Sequence, residues 1–507
     1  MRNLFILLLA SIGLSSVVTA QELTTVAFRV GGYNINEVGY PTRIVPGPDN
    51  KMYYTEWWVQ GSGRRYTNRY LQALKPVMKD RGEIYDEMWA RPLTEPNEQK
   101  MDYLETFSME GAVAVVGNQP NPNDKKGLLT VVRFFDHDGR PMGPLQTMTP
   151  FRTKTRDYED FFTVGPNKQH LLWLGYPAGE KPKKAVYFCA VWRDNGRKLW
   201  REKLRIPPNI HKDEYVITQG MLDKRGNAFF LMLPQDGYTG TPEDSLLPPK
   251  IVRYDYREGN FDSYTLDFPG YSAPLMKIQV TADDMLNVFA IISRQEGESF
   301  TNGGKTDKGE RKWSGLALKR YSLMQNMALK VDTLYDFDAD FLKKYKDAER
   351  QPNFRDAKVI YENNSLYLLL EEAYNQLKPR GTQYLRYDVA TFAFNTDKNE
   401  HLWTTVVEKR QRDYAAPTLI GYTTGVTDMF LHLVYLTERG ARGKVVLRSI
   451  NRETGGVVEK ELISNERGEF LFFPERSAQL QDGRMVLMGI GNPNKNDYFL
   501  LQIKQLP

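Results

Sequence analysis

Residues 156–207 carry the clearest secondary-structure pattern of the chain, RDYEDFFTVGPNKQHLLWLGYPAGEKPKKAVYFCAVWRDNGRKLWREKLRIP. Its apolar and aromatic runs are separated by turn residues at intervals that suit short β-strands. Asp194-Asn195-Gly196 is a strong hairpin signal, because these residue types tolerate the positive φ values of tight turns. Four antiparallel strands that follow one another in sequence form one blade of a β-propeller. The pattern predicts such strands at Asp160–Val164, His170–Tyr176, Ala185–Arg193 and Lys198–Arg205.

Weaker copies of this four-strand unit fill the rest of the chain, which indicates a repeat fold. The chain has 29 Tyr and 25 Phe, which suit half-buried sheet surfaces, and long amphipathic helical patterns are scarce. Seven complete units are predicted, at residues 43–92, 102–147, 156–207, 213–269, 275–334, 356–408 and 416–463. Three further strands are predicted at Glu475–Gln479, Arg484–Gly489 and Tyr498–Lys504.

These units predict an all-β chain that forms a single β-propeller. A propeller removes its exposed sheet edges when a strand from one terminus completes the blade begun by the other. Thr24–Val30 is a lone predicted strand, so we expect it to close the ring as the missing strand of an eighth blade. A ring of seven blades is the alternative. A short helix is expected at Asp338–Arg350, between the fifth and sixth units.

The first 20 residues have the pattern of a secretory signal peptide. Arg2 supplies the positive charge, Leu4–Ala10 the apolar run and Val18-Thr19-Ala20 the small residues of a cleavage site. No later stretch has the roughly 20 apolar residues that span a bilayer. The sequence therefore predicts export to the periplasm or cell surface, with residues 21–507 forming the propeller. The formal net charge of +5 is too small to indicate nucleic-acid binding.

The single cysteine and one hairpin bear on chemistry. Cys189 lies in an apolar strand and cannot form an internal disulfide, so we expect it to act as a small buried hydrophobic residue. The hairpin Trp192–Trp200, WRDNGRKLW, resembles quinoprotein-type and WD40-like propeller repeats, in which a turn with Asp and Gly precedes a Leu-Trp pair. The layout of the whole chain is similar to that of propellers exported by Gram-negative bacteria. The chain lacks the adjacent cysteine pair of the redox quinoproteins, so no cofactor is expected.

A basic residue followed by Asp, often with Tyr beside it, recurs where several blades begin. In a propeller these connections surround the mouth of the central channel. One interpretation is structural, since Asp accepts hydrogen bonds from backbone N–H groups in turns. The other is a binding site, in which Tyr rings stack on a polar ligand and Arg makes bidentate contacts. The candidate binding residues are Arg156, Tyr158, Lys212, Tyr215, Arg355, Arg412 and Tyr414.

Each unit is predicted to have its longest polar loop between its second and third strands, on the same face as the blade beginnings. Together these loops carry a formal net charge of +9. A basic face would attract an anionic partner, with a strength that falls as salt rises. The alternative is that Lys and Arg only keep the loops solvated. The loops are residues 60–69, 117–127, 175–184, 234–250, 294–312, 373–383, 437–444 and 491–497.

Motifs for catalysis or metal binding are absent from the sequence. No nucleophile motif, phosphate-binding loop or nucleotide-binding glycine pattern occurs, and the five His residues never stand at ligand spacing. Asp336–Asp340 has alternating carboxylates but lacks the Gly of a calcium loop. No metal site is therefore expected.

The favoured function is that of a non-catalytic exported propeller, which binds a protein or an anionic glycan and acts as a scaffold or adaptor in the cell envelope. The alternative is an enzyme that acts on glycans or peptides, with carboxylates at the channel mouth as acid and base. A subunit of a larger envelope complex is a third hypothesis. The candidate catalytic residues are Asp157, Asp213, Asp356 and Asp413.

Overall fold

The computed structural model describes residues 43–60, 65–79, 82–95, 98–122, 124–148, 158–177, 187–204, 215–234, 247–269, 271–294, 313–337, 341, 354–378, 381–413, 420–439, 443–464, 470–491 and 497–503. Within these ranges the chain forms strands, with short 3₁₀ turns at Pro48–Asn50 and Pro474–Arg476. The all-β prediction is confirmed. The predicted helix at Asp338–Arg350 falls outside the described residues except for Phe341. No helix in the described ranges has the length and apolar composition that crossing a membrane requires.

The strands pair mainly with their neighbours in sequence, as expected for a propeller. The first three sheets contain β1 (Val45–Pro46), β2 (Met52–Gln60), β3 (Arg65–Lys79) and β4 (Gly82–Pro92); β5 (Asp102–Ser108), β6 (Val113–Asn121), β7 (Asp124–Phe135) and β8 (Gln146–Thr147); and β9 (Tyr158–Val164), β10 (His170–Pro177), β11 (Phe188–Arg193) and β12 (Lys198–Lys203). The fourth and fifth sheets contain β13 (Tyr215–Leu222), β14 (Ala228–Pro234), β15 (Lys250–Asp255) and β16 (Asn260–Thr265); and β17 (Tyr271–Val280), β18 (Met285–Arg294), β19 (Trp313–Ser322) and β20 (Ala328–Asp336).

The remaining sheets are less regular. The sixth contains β21 (Phe354–Glu362), β22 (Ser365–Lys378), β23 (Gly381–Asn395), β24 (Glu400–Val407), β25 (Gln411–Asp413) and β28 (Glu438–Arg439). The seventh contains β26 (Thr423–Val426), β27 (Phe430–Leu436), β29 (Val445–Asn451) and β30 (Val457–Ile463). The last contains β31 (Phe470–Phe472), β32 (Ala478–Gln479), β33 (Met485–Gly491) and β34 (Asp497–Ile503).

The structure corrects the predicted eight-bladed ring. Each of the first seven sheets has the four successive layers of a complete blade, whereas the last sheet has three layers in the described residues. Its strands β31 and β32 pair with the same edge of β33, one after the other, and therefore form a single interrupted layer. Strand β34 pairs with the other edge. The fold is thus an all-β propeller with seven complete blades, and the prediction that favoured eight blades is wrong.

The ring closes near the first blade's 3₁₀ turn. The Ile44 amide donates to the Arg476 carbonyl at 3.0 Å, and the Asp482 amide donates to Asn50 Oδ1 at 3.1 Å. The described closure is therefore made by residues 44–50, while the predicted closing strand Thr24–Val30 lies outside the described ranges. The role of Thr24–Val30 in closing the ring therefore stays a prediction.

Each blade packs both faces against its neighbours, which explains why the middle strands are apolar without alternation. In the third blade, Leu172 and Cys189 face the fourth blade, while Trp173 and Trp192 face the second. Successive residues of a strand point to opposite faces, so one apolar run contributes to two interblade cores. Cys189 is fully buried, as predicted, and burial raises the pKa of its thiol.

The predicted hairpin at Asp194-Asn195-Gly196 forms between β11 and β12. The Arg193 amide donates to the Arg197 carbonyl at 2.8 Å, and Asn195 Oδ1 accepts the Arg197 amide at 3.1 Å. Gly196 has a φ of +75°, a left-handed conformation that glycine adopts without steric cost. The turn chemistry of the sequence therefore determines this hairpin.

Three of the predicted polar loops are instead the ends of long hairpins. In the first, second and sixth blades, the second and third strands are separated only by residues 61–64, 122–123 and 379–380, respectively. Many of their polar residues lie at the ends of strands that are longer than the next strand of the sheet. For example, β24 pairs with β23 only over residues 389–395. The other five loops lie wholly or partly outside the described ranges, so the basic face remains a prediction.

Candidate functional site

The predicted site residues fall into three groups. Arg156, Asp157, Lys212, Asp213 and Tyr414 lie outside the described residues. Tyr158, Arg355, Asp356 and Asp413 occupy strands whose backbone pairing is described. Tyr215 and Arg412 are described with their side chains. The predicted binding site around the channel mouth stays a prediction. The structure describes the environment of the candidate residues in the fourth and sixth blades.

Tyr215 lies in the core between the third and fourth blades. Its side chain is buried, and its hydroxyl donates to the Pro248 carbonyl at 2.9 Å. Lys250 Nζ lies 5.9 Å from the centre of its ring. These contacts support the structural interpretation at this position.

The sixth blade brings two of the predicted segments onto one sheet. Strand β23 has 15 residues and β24 has 8, and β25 occupies the part of the β23 edge that β24 leaves. This pairing sets Asp413 opposite Tyr384. On the other side of the hairpin, β21 sets Asp356 opposite Glu371, with a register shift at Arg355. The beginnings of the sixth and seventh blades therefore meet on the same extended hairpin.

A buried group of polar side chains lies between this hairpin and the seventh blade, and we call it the sixth-blade cluster: Glu371, Arg386, Lys409 and Gln411. Lys409 Nζ contacts Glu371 Oε1 and lies 2.7 Å from Gln411 Oε1. Arg386 Nε lies 3.4 Å from Glu371 Oε2. The Gln411 amide nitrogen donates to the carbonyls of Gly421 and Leu436 at 3.1 and 2.8 Å, which extends the network into the seventh blade.

The charged centre of the cluster is closed to solvent. The Lys409 side chain is 0% exposed, and burial lowers its pKa while the Glu371 carboxylate opposes that shift. The rings of Tyr422 and Tyr435 have their centres 5.7 and 6.0 Å from Lys409 Nζ, where they stabilise a cation. Buried groups with shifted pKa values occur at active sites and also in structural ion pairs. Because no ligand can reach Lys409, we assign the cluster a structural role: it holds β25 in place.

The sequence carries a partial signal for this cluster. Glu371 continues the strand face of Tyr367 and Leu369, which are both fully buried. A carboxylate at a position where the strand pattern requires an apolar side chain indicates a buried charge, which needs a cationic partner. The partner, Lys409, is 38 residues away, so its identity depends on strand pairing.

The opposite face of the hairpin carries half-buried aromatic and charged side chains, which we call the sixth-blade platform: Tyr374, Tyr387 and Arg412. The two tyrosine rings meet edge to face, with centres 5.7 Å apart. Tyr374 on β22 and Arg412 on β25 both lie directly opposite Leu385 on the central strand β23, so their side chains share one face of the sheet. The Tyr374 hydroxyl donates to Glu372. Phenol rings and a guanidinium group presented by neighbouring strands are suited to a polar anionic ligand.

Glu105, on the first strand of the second blade, β5, is a further titratable group, and no sequence motif marks it. Its carboxylate lies 3.6 Å from the Arg43 guanidinium. Burial raises the pKa of Glu105, and Arg43 opposes that shift. A carboxyl group with a raised pKa is suited to general-acid catalysis. Glu105 therefore joins the four predicted aspartates as a residue to test under the enzyme hypothesis.

The described histidines make separate contacts. His137 Nδ1 lies 2.7 Å from the Tyr53 hydroxyl, and the His401 ring stacks on Tyr335 with centres 4.0 Å apart. His432 is buried between hydroxyl groups, with Nδ1 2.9 Å from Ser449 Oγ. Among the described residues, no group of three His, Cys, Asp or Glu side chains is placed to hold a metal ion.

We expect the stability of the protein to fall as the pH drops from 6.5 to 4, in part because of His432. Burial lowers the pKa of His432 to about 4, so the folded state resists a proton that the unfolded state binds near pH 6.5. The contribution is complete above pH 6.5 and lost below pH 4, and it amounts to roughly 3 kcal/mol. Urea denaturation of wild type and His432→Gln at pH 7.5 and pH 5 measures it. Equal pH dependence in the two proteins would contradict the prediction.

Comparisons with solved structures find chains of similar fold at low sequence identity. BamB from Moraxella catarrhalis is 12% identical with a TM-score of 0.41, and the match covers 95% of this chain and 100% of that chain. The β-propeller domain of the Trilobed protease from Pyrococcus furiosus is 9% identical with a TM-score of 0.37, covering 85% and 98%. A puromycin hydrolase S511A mutant complexed with PGG is 14% identical with a TM-score of 0.39, covering 89% of this chain.

The present chain spans 58% of the length of that puromycin hydrolase chain. No protein-family model matches the sequence, and no curated protein matches it either. The chain therefore has no family assignment, and its propeller architecture rests on the strand pairing described above.

Proposed function

We propose that this protein is an exported, non-catalytic propeller that binds an anionic partner, a glycan or a protein, and acts as a scaffold or adaptor in the cell envelope. The observation that carries the proposal is the sixth-blade platform, where Tyr374 and Arg412 share one face of the extended hairpin and the ring of Tyr387 contacts that of Tyr374. The binding surface is the face of the propeller on which the blades begin. The platform and the predicted basic loops belong to that face.

The structural support beneath the platform favours binding by a preformed surface. Strand β25 carries Arg412, and its neighbour Gln411 is fixed by three hydrogen bonds to the seventh blade. A rigid support lowers the entropy lost when a ligand immobilises the side chains. Arg412 can then make bidentate contacts with a carboxylate or sulfate group while a sugar ring or a side chain lies against Tyr387.

Replacing Arg412 with glutamate is expected to weaken partner binding roughly tenfold or more, because an attraction becomes a repulsion on the binding face. A pull-down from the native envelope at low and high salt, with mass spectrometry of the retained proteins and glycans, identifies the partner, and titration then measures its Kd. The wild-type complex should weaken as salt rises.

Lys398→Glu is the matched control, since it makes the same charge change at an exposed residue. Lys398 lies in the turn between β23 and β24, at the end of the sixth blade opposite the platform. The control should bind as wild type does. Equal weakening by both variants would show that net charge alone drives association and would contradict the assigned surface. Glycan turnover that Glu105→Gln abolishes would instead establish the enzyme hypothesis.

A further inference from the structure

A row of polar side chains crosses the fifth blade near its turns. Gln279, Asn287 and Arg320 lie directly opposite one another on β17, β18 and β19, so their side chains project from one face of the sheet. Phe289 and Leu318 lie on that same face and pack in the core shared with the sixth blade. The polar row is therefore enclosed between the fifth and sixth blades.

Several atoms of this row are buried without a partner. Asn287 is 0% exposed, and neither its amide nitrogen nor its amide oxygen has a hydrogen-bond partner among the described residues. In the same part of the molecule, Gln279 Oε1 and Arg320 Nε are also buried and unpaired. Buried polar atoms are almost always hydrogen-bonded in native proteins, so four such atoms at one place require an explanation.

The guanidinium group of Arg320 is held in position by its other nitrogens. Nη2 donates to Asp283 Oδ2 at 2.6 Å and to the Tyr361 hydroxyl at 3.3 Å. Nη1 donates to the Thr396 carbonyl at 3.3 Å, on the sixth blade. With these contacts fixed, Nε cannot rotate toward a different partner.

We propose that an ordered internal water molecule binds between Gln279, Asn287 and Arg320. The four unpaired atoms comprise two donors, Asn287 Nδ2 and Arg320 Nε, and two acceptors, Asn287 Oδ1 and Gln279 Oε1. Water donates two hydrogen bonds and accepts two, and buried waters make two to four bonds to such groups. An anion would face the two amide oxygens and Asp283, and a metal ion would face the guanidinium group. The water completes a polar network that joins the fifth blade to the sixth.

A crystal structure of the wild-type protein, at a resolution that shows ordered water, tests the proposal directly. We expect a density peak within about 3.2 Å of Asn287 and of at least one of Gln279 Oε1 and Arg320 Nε. Asn287→Leu tests it by stability, because leucine has a similar shape but removes two of the four bonds. We expect its Tm to fall by about 2–4 °C.

Thr391→Val is the matched control. The Thr391 hydroxyl is also buried and unpaired, but it is the one such atom among the described residues of the sixth blade, so its removal should leave the Tm unchanged or higher. A wild-type map without a peak at the site would overturn the proposal, as would an Asn287→Leu variant at least as stable as wild type. If that variant fails to fold, the wild-type map decides.

Discussion

Replacing Lys409 with methionine is expected to lower the free energy of unfolding by about 3–5 kcal/mol, because it leaves a carboxylate buried without its nearest cation. Glu371 is 5% exposed and contacts Lys409 directly, so no water can replace the lost ammonium group. Gln411 Oε1 loses its bond to Lys409 as well. Arg386 Nε remains 3.4 Å from Glu371 Oε2 and still offsets part of its charge, so we expect the loss of unfolding free energy to lie near the lower value. Chemical denaturation followed by tryptophan fluorescence measures it.

An exposed ion pair supplies the control. Lys444 and Glu461 lie 2.8 Å apart with 47% and 41% of their side chains exposed, so Lys444→Met should cost about 0–1 kcal/mol. Combining Lys409→Met with Glu371→Gln should regain part of the lost stability, since the buried negative charge is then removed. Equal costs for Lys409→Met and Lys444→Met would show that the sixth-blade cluster does not support the fold.

Replacing Trp173 with alanine is expected to lower the free energy of unfolding by about 3–5 kcal/mol, because a fully buried side chain at the interface of the second and third blades is lost. The indole nitrogen donates to Asp160 Oδ1 at 2.7 Å, and this carboxylate also accepts the Thr130 hydroxyl at 3.0 Å. The variant therefore creates a cavity and weakens the pairing of a carboxylate. Thermal and chemical denaturation both report the change.

Two control variants separate these effects. Trp173→Phe retains most of the packing and loses the bond to Asp160, so it should cost about 1–3 kcal/mol. Leu334→Ala changes a half-exposed residue on the outer strand β20 and should remain within about 0.5 kcal/mol of wild type. A Trp173→Ala variant as stable as Leu334→Ala would contradict the packing described for this interface.

If the proposed function is correct, the sixth blade has separate residues for stability and for binding. The buried cluster lies on one face of its long hairpin, and the platform with Arg412 lies on the other. Arg412→Glu should therefore weaken binding and leave the free energy of unfolding nearly unchanged. Lys409→Met should lower stability and also weaken binding, because β25 loses part of its support.

The repeat unit could be predicted well from residue types and their spacing. The Asp194-Asn195-Gly196 turn, the apolar middle strands and the burial of Cys189 all follow from local chemistry, and the structure confirms them. Blade boundaries from 102–147 to 416–463 agree with the observed sheets to within seven residues.

The parts that could not be predicted depend on strands that meet from distant positions. The three strands at the end of the chain were identified, but the eighth blade inferred from them is wrong, since β31 and β32 share one edge of β33. The polar segment near residues 373–383 was predicted as a loop, whereas it forms the end of a long hairpin that β25 flanks.

The all-β repeat and the approximate positions of most strands follow from the sequence, because turn residues and side-chain patterns act over a few neighbouring residues. The contacts that close the ring, the pairing of polar segments and the burial of charges depend on strands that are distant in sequence. Glu371 and Lys409 are 38 residues apart, and each is unremarkable in its local context. Their pairing depends on how the strands of the sixth blade are arranged. That arrangement is stabilised by contacts between residues that are far apart in the sequence.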